Sequence, residues 1–320
     1  RKEFTRLLEN ACGARNINNS RKGLNMKITN LDNKSKILIV GLGLIGGSYA
    51  KALSKHGYQV KAITRDQKDI DYAVQSGIIA DGTTEVNPEL IAWSDITVLA
   101  LYPHTLLDWV KQNAHLFTPG TLVTDVTGVK GTVVADVQSH MPDGVEFIAA
   151  HPMAGREKSG VEYSDDAVFR GANYIVVPTE KNTPEAVALC SKLGEILGFH
   201  RISTLTVKEH DRMIAFLSQL THSIAVALMC ATEQPGLEAY TGDSFRDLTR
   251  IARINDEMWS ELFLCNREAL LEEMDRFADK FAHLRRALAD GNREELRRMM
   301  RFSSERREKF DKPIAAADIK

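Results

Sequence analysis

Short apolar runs alternate with longer helical stretches from Lys36 to about residue 200. The apolar runs are rich in Val, Ile and Leu, and the stretches between them repeat apolar positions every three to four residues. Strands that read as continuous apolar runs are buried on both faces of a sheet, and helical spacers between them favour parallel crossovers. The pattern therefore predicts a doubly wound sheet. Its six predicted strands cover residues 37–40, 59–64, 96–101, 121–126, 145–150 and 174–177, and a helix at about 184–197 follows them.

The pattern changes after about residue 204, where the strand signal ends. Thr206 and Glu209 have the spacing of a capping box, which predicts a long helix running to about Ala231. Farther on, apolar positions spaced alternately by four and three residues predict one face of a second long helix, which Gly291-Asn292 ends before a charged final helix to about Lys312. That apolar face consists of Leu270, Met274, Phe277, Phe281, Leu284 and Leu288.

These patterns predict an α/β fold with two domains, as the length of 320 residues also suggests. An N-terminal doubly wound Rossmann-type parallel sheet is expected at 35–200, and an all-helical C-terminal domain at 201–315. Residues 1–34 are polar and basic, and we expect them to form a linker or a disordered leader.

Composition narrows the range of functions. The formal net charge is −2, so no chain-wide field attracts nucleic acid or an anionic membrane. No apolar run approaches the roughly 20 residues that cross a bilayer. The four cysteines lack CxxC spacing, which indicates reduced thiols in a cytoplasmic protein rather than a disulfide framework or a zinc site. We expect no nucleic-acid, membrane or metal partner. The cysteines are Cys12, Cys190, Cys230 and Cys265.

A glycine motif directly follows the first predicted strand and leads into an apolar helix. In this context the first glycine permits a tight turn, the second permits close approach of a pyrophosphate, and the third permits close packing of helix on strand. The phosphates then face the free N–H groups of a helix N-terminus. The sequence therefore predicts a dinucleotide site. Its loop reads Gly41-Leu42-Gly43-Leu44-Ile45-Gly46.

The end of the second predicted strand bears on the choice of cofactor. NAD-specific sites usually place an acidic residue there to bind the ribose 2′-hydroxyl. In this chain the segment reads Thr64-Arg65-Asp66. A hydroxyl followed by an arginine suits a 2′-phosphate and favours NADP, whereas Asp66 leaves NAD open. At the end of the third strand, Tyr102 and Pro103 are expected to contact the same cofactor.

Two further strand ends place a hydroxyl and an imidazole at the crevice where a nicotinamide would lie. Thr127 follows the fourth predicted strand, and His151 follows the fifth. Ligands of doubly wound sheets bind outside the carboxyl ends of the strands. An imidazole with a pKa near neutrality is the usual acceptor of a hydroxyl proton during hydride removal. A purely structural histidine at this strand end is the alternative interpretation.

Four motifs in register carry a resemblance to a known family. They are His151-Pro-Met-Ala-Gly155, Glu157-Lys-Ser-Gly160, Thr124-Asp-Val-Thr-Gly-Val-Lys130 and Phe245-Arg-Asp-Leu-Thr-Arg-Ile-Ala252. Together they resemble the signature of the prephenate/arogenate dehydrogenase family over about residues 36–312. The resemblance implies oxidative decarboxylation of prephenate to 4-hydroxyphenylpyruvate with reduction of NAD or NADP, in tyrosine biosynthesis. An arogenate dehydrogenase that forms tyrosine directly is the first alternative, and a non-catalytic nucleotide-binding sensor is the second.

The resemblance also implies roles for single residues. His151 hydrogen-bonds the ring hydroxyl of the substrate, Arg250 holds a substrate carboxylate, and His222 on the long helix faces the substrate side chain. Arg246 is a second candidate for the carboxylate. Asp243 lies in a GDSF run that resembles plant-type arogenate dehydrogenases, where the acid favours the amino substrate.

Two departures from the family pattern affect these assignments. The family often carries Gly-Ser within the DVxxVK turn, and its serine assists the catalytic histidine. This chain has Thr127-Gly128, which moves the hydroxyl one position earlier. On the long helix, Gln219 stands where the family often has a histidine, and we retain it as a substrate-binding candidate. The family's helical domain mediates homodimer contacts, so the apolar face from Leu270 to Leu288 predicts a homodimer.

Overall fold

The computed structural model describes residues 26–155 and 158–310. Most of the predicted leader, Glu157 of one family motif and the predicted end of the last helix lie outside the described residues.

An eight-stranded sheet forms the core of the N-terminal domain, with the order β3-β2-β1-β4-β5-β6-β7-β8. All six predicted strands are confirmed in position. Two short strands were missed, because one has three residues and the other is a half-exposed edge strand. The strands are β1 Lys36–Val40, β2 Gln59–Ile63, β3 Asp81–Thr83, β4 Ile96–Leu99, β5 Leu122–Asp125, β6 Glu146–Met153, β7 Asn173–Val177 and β8 Arg201–Thr204.

The sheet is mainly parallel, which confirms the predicted fold class, but β7 runs antiparallel to β6. The prediction that every strand is reached by a parallel crossover was wrong at this point. The described residues between the two strands hold only short 3-10 turns, at Val161–Tyr163 and Asp166–Phe169. A parallel return needs a crossover that is usually a helix, and none is present there.

Helices cover both faces of the sheet. Along β1, Ile37 and Ile39 belong to the core on one face, and Leu38 and Val40 belong to the core on the other. This alternation is the reason that the strand reads as a continuous apolar run. The helices of this domain are α1 Leu44–Lys55, α2 Gln67–Gln75, α3 Pro88–Trp93, α4 Pro103–Asn113, α5 Val134–His140 and α6 Pro184–Ile196.

The described residues after β8 contain helices and no strand, as predicted. Thr206 and Glu209 form the expected capping box at the start of the first helix. That helix continues through a π-helical turn, Ala215–Gln219, into the next one. The helices are α7 Val207–Ile214, α8 Leu220–Met229, α9 Asp243–Thr249, α10 Asp256–Cys265, α11 Arg267–Ala289 and α12 Arg293–Arg307.

The continuous helix Val207–Met229 is long and apolar enough to cross a membrane by length and composition alone, with a mean hydropathy of 1.3 in its most apolar window. The core helix of a folded domain meets the same criteria. This helix carries His210, Asp211 and Gln219, whose polar groups are buried in hydrogen bonds to the rest of the protein. Of that window, 28% is buried within the single chain.

Both ends of the sheet domain extend beyond the predicted boundaries. The backbone N–H of Lys27 donates to the carbonyl of Gly120 at 2.9 Å, and Leu31 is buried against the sheet. Residues 26–34, which the sequence suggested as leader, thus pack on this domain. At the other end, β8 pairs with β7 through Thr204, past the predicted boundary at residue 200.

Candidate active site

The glycines of the loop after β1 serve two purposes: two of them permit close backbone packing, and the third leaves space for a ligand. Gly41 has a φ of +97°, and a Cβ there would lie 2.4 Å from the carbonyl oxygen of Ala100. A Cβ on Gly46 would lie 1.9 Å from the carbonyl oxygen of Gly41. The fold therefore requires glycine at both positions. A Cβ on Gly43, by contrast, would meet no atom of the described chain within 4 Å. Gly43 leaves an open cradle that a ligand can approach closely.

The cradle opens onto the N-terminus of α1. Gly43 caps this helix without any side-chain hydrogen bond, and no acidic residue lies in the first turn. The free N–H groups and the helix dipole suit a pyrophosphate. The N–H of Leu42 donates to the hydroxyl of Thr64 at 3.4 Å, which holds the loop against the end of β2. These residues fit a dinucleotide, with the half-buried Leu44 and Ile45 behind the loop.

The other cofactor candidates lie at the same edge of the sheet. Tyr102 caps α4 at the end of β4, and Pro103 is the buried first residue of that helix. The Arg65 side chain is 93% exposed, and its Nε lies 3.4 Å from a carboxylate oxygen of Asp66. The two residues that argue for NADP and for NAD are therefore neighbours, and both are accessible from solvent.

His151 is joined to a second histidine from the helical domain. Its Nδ1 lies 2.8 Å from Nε2 of His210, and Nδ1 of His210 lies 2.8 Å from a carboxylate oxygen of Asp211. A carboxylate only accepts, so Nδ1 of His210 must donate to Asp211. Nε2 of His210 is then the acceptor for the proton on Nδ1 of His151. This chain of bonds leaves Nε2 of His151 as an unprotonated acceptor.

The electrostatic surroundings keep this imidazole neutral. Burial lowers the pKa of His151 well below its ordinary value of 6.5, and the neighbouring His210 and Lys130 lower it further. Burial also lowers the pKa of His210, against the opposing effect of Asp211. Both rings are therefore uncharged at neutral pH, and His151 is ready to take a proton.

Asp211 also binds the loop that follows β5. Its two carboxylate oxygens accept from the backbone N–H of Lys130 at 2.9 Å and of Gly131 at 2.6 Å. One carboxylate of the helical domain thus orients the imidazole pair and holds this loop of the sheet domain. His210 and Asp211 act through His151, so they are positioning residues.

A buried ion pair between Lys130 and Asp125 also holds the loop that follows β5. Nζ of Lys130 donates to Asp125 at 2.6 Å and to the carbonyl of Ala150 at 2.7 Å, and both charged side chains are fully buried. Asp125 also accepts from the N–H of Ala150 at 3.0 Å. The pair therefore ties the end of β5 to the residue that precedes His151.

Thr127 belongs to this support. Its hydroxyl lies within hydrogen-bond distance of Asp125, of the Val129 carbonyl at 2.9 Å and of Nζ of Lys130 at 3.2 Å. The structure thus places the predicted catalytic hydroxyl in the packing of the loop. The neighbouring position, Gly128, is the one that faces the base, because a Cβ there would lie 3.8 Å from Nε2 of His151.

His222 lies on α8 beside an aromatic residue of α10. Its Nδ1 is 2.8 Å from the carbonyl oxygen of Ser218, and its ring stacks on Trp259 with 3.7 Å between centroids. A carbonyl only accepts, so Nδ1 of His222 donates. Three residues along α10, Leu262 lies 3.6 Å from the place of a Cβ on Gly128. One face of α10 therefore connects the surroundings of His222 with those of His151.

Sequence models of one family match both domains in order. The model described as "Prephenate dehydrogenase, nucleotide-binding domain" matches residues 49–203, and the one described as "Prephenate dehydrogenase, dimerization domain" matches residues 206–302. The prephenate dehydrogenase of Lactococcus lactis subsp. cremoris is 33% identical over 252 residues, which are 76% of this chain and 68% of that protein. The chain belongs to the prephenate dehydrogenase family.

Solved structures of prephenate dehydrogenase relatives share the fold. The Aquifex aeolicus prephenate dehydrogenase, in complex with hydroxyphenyl propionate and NAD⁺, is 30% identical with a TM-score of 0.81, covering 88% of this chain and 99% of that one. The Synechocystis arogenate dehydrogenase is 27% identical with a TM-score of 0.75, covering 86% and 100%. The fold is therefore common to proteins named for either substrate.

The remaining substrate-binding candidates of this chain lie on α9 and on the turn that follows it. Arg250 begins the 3-10 turn Arg250–Ala252, which packs against α8, the helix of His222. Asp243 is the first residue of α9, and it pairs with Arg246 at 3.1 Å. All three side chains are exposed in the single chain.

Gln219 occupies a different environment. It is buried in the π-helical turn, where its amide nitrogen donates to the Leu262 carbonyl at 2.9 Å and its amide oxygen accepts from Asn266 at 2.8 Å. Both ends of the amide are bonded within the protein. This placement indicates a structural link between the long helix and α10, in place of the substrate contact expected from the sequence.

Sequence reasoning missed His210 and Asp211 as part of the site. The signal was a His-Asp pair in the first turn after the capping box of Thr206 and Glu209. The pair could be assigned to the site only with the knowledge that α7 begins beside the end of β6. Lys130 stands in a recognised motif, yet the sequence did not show that it is buried with Asp125.

Proposed function

We propose that this chain oxidises and decarboxylates prephenate to 4-hydroxyphenylpyruvate, with reduction of a nicotinamide dinucleotide. The observation that carries the proposal is the open Nε2 of His151, which the bond to His210 keeps unprotonated. It lies on the sheet edge that also holds the Gly43 cradle. A proton acceptor and a dinucleotide site on one edge suit the oxidation of a carbinol.

The chemistry needs little beyond these groups. The bound dinucleotide supplies the acceptor for the hydride from the carbinol carbon. His151 takes the hydroxyl proton through Nε2 as the carbinol becomes a ketone. Loss of the ring carboxylate as CO₂ sends its electron pair into the ring, which becomes aromatic, and His151 returns the proton to the phenol oxygen. Asp211, through His210, stabilises the transient positive charge on His151.

Initial rates with prephenate and arogenate, each crossed with NAD and NADP, test the proposal. We expect turnover of prephenate, with CO₂ and 4-hydroxyphenylpyruvate formed in equal amounts to reduced cofactor. Cofactor binding without turnover of either substrate would overturn the proposal in favour of the nucleotide-binding sensor. Turnover of arogenate alone would show that the chain is an arogenate dehydrogenase instead.

The same rates decide the cofactor. Arg65 at the end of β2 supports NADP, because its exposed guanidinium can reach a 2′-phosphate. Asp66 beside it offers the acceptor that a ribose hydroxyl needs, and the Aquifex relative was solved with NAD⁺. We retain NADP as the proposed preference and NAD as the alternative. The cysteine spacing, which lacks CxxC pairs, supports a cytoplasmic enzyme.

Arg250 is proposed to hold a carboxylate of the substrate. Replacing it with Ala is expected to raise KM roughly thirtyfold, corresponding to about 2 kcal/mol of lost charge-assisted hydrogen bonding. Arg250→Lys should recover little, because the ammonium lacks the planar fork. Steady-state kinetics with prephenate measure both variants. If Arg250→Ala keeps the native KM while Arg246→Ala raises it, the carboxylate site belongs to Arg246.

Asp243 is proposed to favour arogenate, whose side chain carries an ammonium where prephenate has a ketone. Asp243→Asn should lower kcat/KM for arogenate by about tenfold, or 1.4 kcal/mol, and leave prephenate turnover equal or better. The structure also pairs Asp243 with Arg246 at 3.1 Å, and loss of that pair should act on both substrates alike. Equal losses on both substrates would assign Asp243 to the packing of α9.

The helical domain is proposed to join two copies of the chain. Its matched family description is a dimerization domain, and large apolar side chains are exposed along α11, including Phe281 at 61% and Leu288 at 68%. Light scattering should give twice the chain mass of 35.7 kDa. Phe281→Glu should shift the protein toward monomer. Asp279→Ala, on the opposite side of the helix, should not. A native monomer at micromolar concentration would contradict the proposal.

A further inference from the structure

Three side chains with metal-binding atoms lie together where the two domains meet. His104 is in the first turn of α4 in the sheet domain. Glu261 and Cys265 lie one turn apart on α10 in the helical domain. One ligand atom from each, a ring nitrogen, a carboxylate oxygen and Sγ, all lie within 4.8 Å of one another. The sequence predicted no metal site, because His104 and Glu261 are 157 positions apart.

The cluster is anchored on both helices. A carboxylate oxygen of Glu261 lies 3.0 Å from Nδ1 of His104 and accepts from the His104 backbone N–H at 2.5 Å, at the N-terminus of α4. The Glu261 side chain is only 14% exposed, whereas that of His104 is 69% exposed. The cluster therefore has a protein side formed by α10 and a side open to solvent.

The donor set matches one class of ion. Imidazole, thiolate and carboxylate are the ligands that zinc takes in proteins, at about 2.0–2.3 Å. Tetrahedral geometry at those bond lengths places ligand atoms roughly 3.3–3.8 Å apart. His104 and Glu261 are already at 3.0 Å, and all three ligand atoms lie within 4.8 Å, so side-chain adjustments of about an ångström reach that spacing. Two donors four residues apart share one face of a helix. The negative charges of Glu261 and of a Cys265 thiolate balance a divalent cation.

We propose that His104, Glu261 and Cys265 form a binding site for a zinc-class divalent cation that bridges the two domains. Binding replaces the proton on Cys265 with a metal–sulfur bond and releases that proton to solvent. The exposed side beyond His104 leaves the fourth coordination position to water.

A bound ion would fix the separation of two walls of the cleft. α4 begins at Pro103, directly after its cap Tyr102. α10 carries Trp259, which stacks on His222, and Leu262, which like His151 lies near the place of a Cβ on Gly128. Where product release requires the domains to separate, such a link slows turnover. Inhibition is a consequence of binding, and the binding itself does not depend on the reaction proposed above.

Titration of the full, reduced chain with Co²⁺ tests the site. We expect one equivalent of Co²⁺ to bind per chain, with a thiolate-to-cobalt charge-transfer band in the near ultraviolet that Zn²⁺ abolishes by displacement. Cys265→Ser should remove the band. Cys230→Ser is the matched control, because Cys230 is an exposed cysteine elsewhere in the helical domain, and it should keep the band.

A second pair of variants tests the imidazole. His104→Gln should weaken Co²⁺ binding by more than tenfold, since loss of even an outer partner of a metal site costs about 10–100-fold. His140→Gln, at another exposed histidine of the sheet domain, should not change it. Equal thermal midpoints of the metal-free variants and the native chain exclude misfolding as the cause. A native chain without the band, or a band that persists in Cys265→Ser, would overturn the proposal and leave the cluster as a hydrogen-bonded contact between the domains.

Discussion

Replacing His151 with Asn is expected to lower kcat for prephenate by about 10²–10⁴-fold, the usual contribution of a positioned acid–base group. KM should change far less, because the lost interaction strengthens only as the hydroxyl proton moves. Asn keeps a polar group of similar size but offers no basic nitrogen at the position of Nε2. Steady-state kinetics at saturating cofactor measure the effect.

The matched control is His140→Asn, at a histidine whose Nδ1 bonds the carbonyl of Asp136 on the surface of the sheet domain. It should retain native kcat. A native kcat in His151→Asn would remove His151 from the mechanism.

In the native enzyme, the lowered pKa of His151 means that its basic form persists as pH falls past 6.5. The acid limb of the kcat/KM profile should therefore lie below that pH.

Replacing Lys130 with Met is expected to lower the free energy of unfolding by about 3–5 kcal/mol, because the Asp125 carboxylate is then left charged and buried without its partner. That loss is a large part of the roughly 5–15 kcal/mol that stabilises an ordinary domain. Lys130 also donates to the carbonyl of Ala150 at 2.7 Å, so the change disturbs the strand that carries His151. Unfolding in urea measures the loss.

A surface lysine provides the comparison. Lys111 pairs with Asp136 at 3.4 Å and is 47% exposed, so Lys111→Met should change stability by no more than about 1 kcal/mol. Adding Asp125→Asn to Lys130→Met should recover part of the loss, since the buried charge is removed as well. Equal stabilities of Lys130→Met and Lys111→Met would show that the buried pair is not required.

Features written in consecutive residues were predictable from the sequence. The apolar run of β1, the glycines after it and the capping box at Thr206 each act over a few residues, so local chemistry alone determines them. His151 could be placed at the cofactor edge because parallel strands bring their carboxyl ends together. The family motifs then added roles that no periodicity contains.

Features that depend on distant pairing were not predictable in the same way. His151 and His210 are 59 positions apart, and their bond depends on how α7 meets the end of β6. Thr127 was expected at the crevice of the cofactor, and its hydroxyl hydrogen-bonds Asp125 within the loop. The described residues before β7 form no helix that could return the chain parallel to β6, and a run of apolar residues does not indicate the direction of a strand.

The hydrogen bond between His151 and His210 joins the sheet domain to the helical domain. The proton-accepting state of His151 therefore depends on contact between the two domains. At 2.8 Å, a separation of the domains by about an ångström takes the two nitrogens beyond hydrogen-bond reach. The imidazole of His151 then loses the acceptor that selects its tautomer, and a proton can settle on the nitrogen that should remain free. With the domains separated, the glycine loop can still bind a dinucleotide while Nε2 of His151 is no longer held unprotonated. The docked arrangement of the two domains is thus the one in which His151 is set to accept a proton.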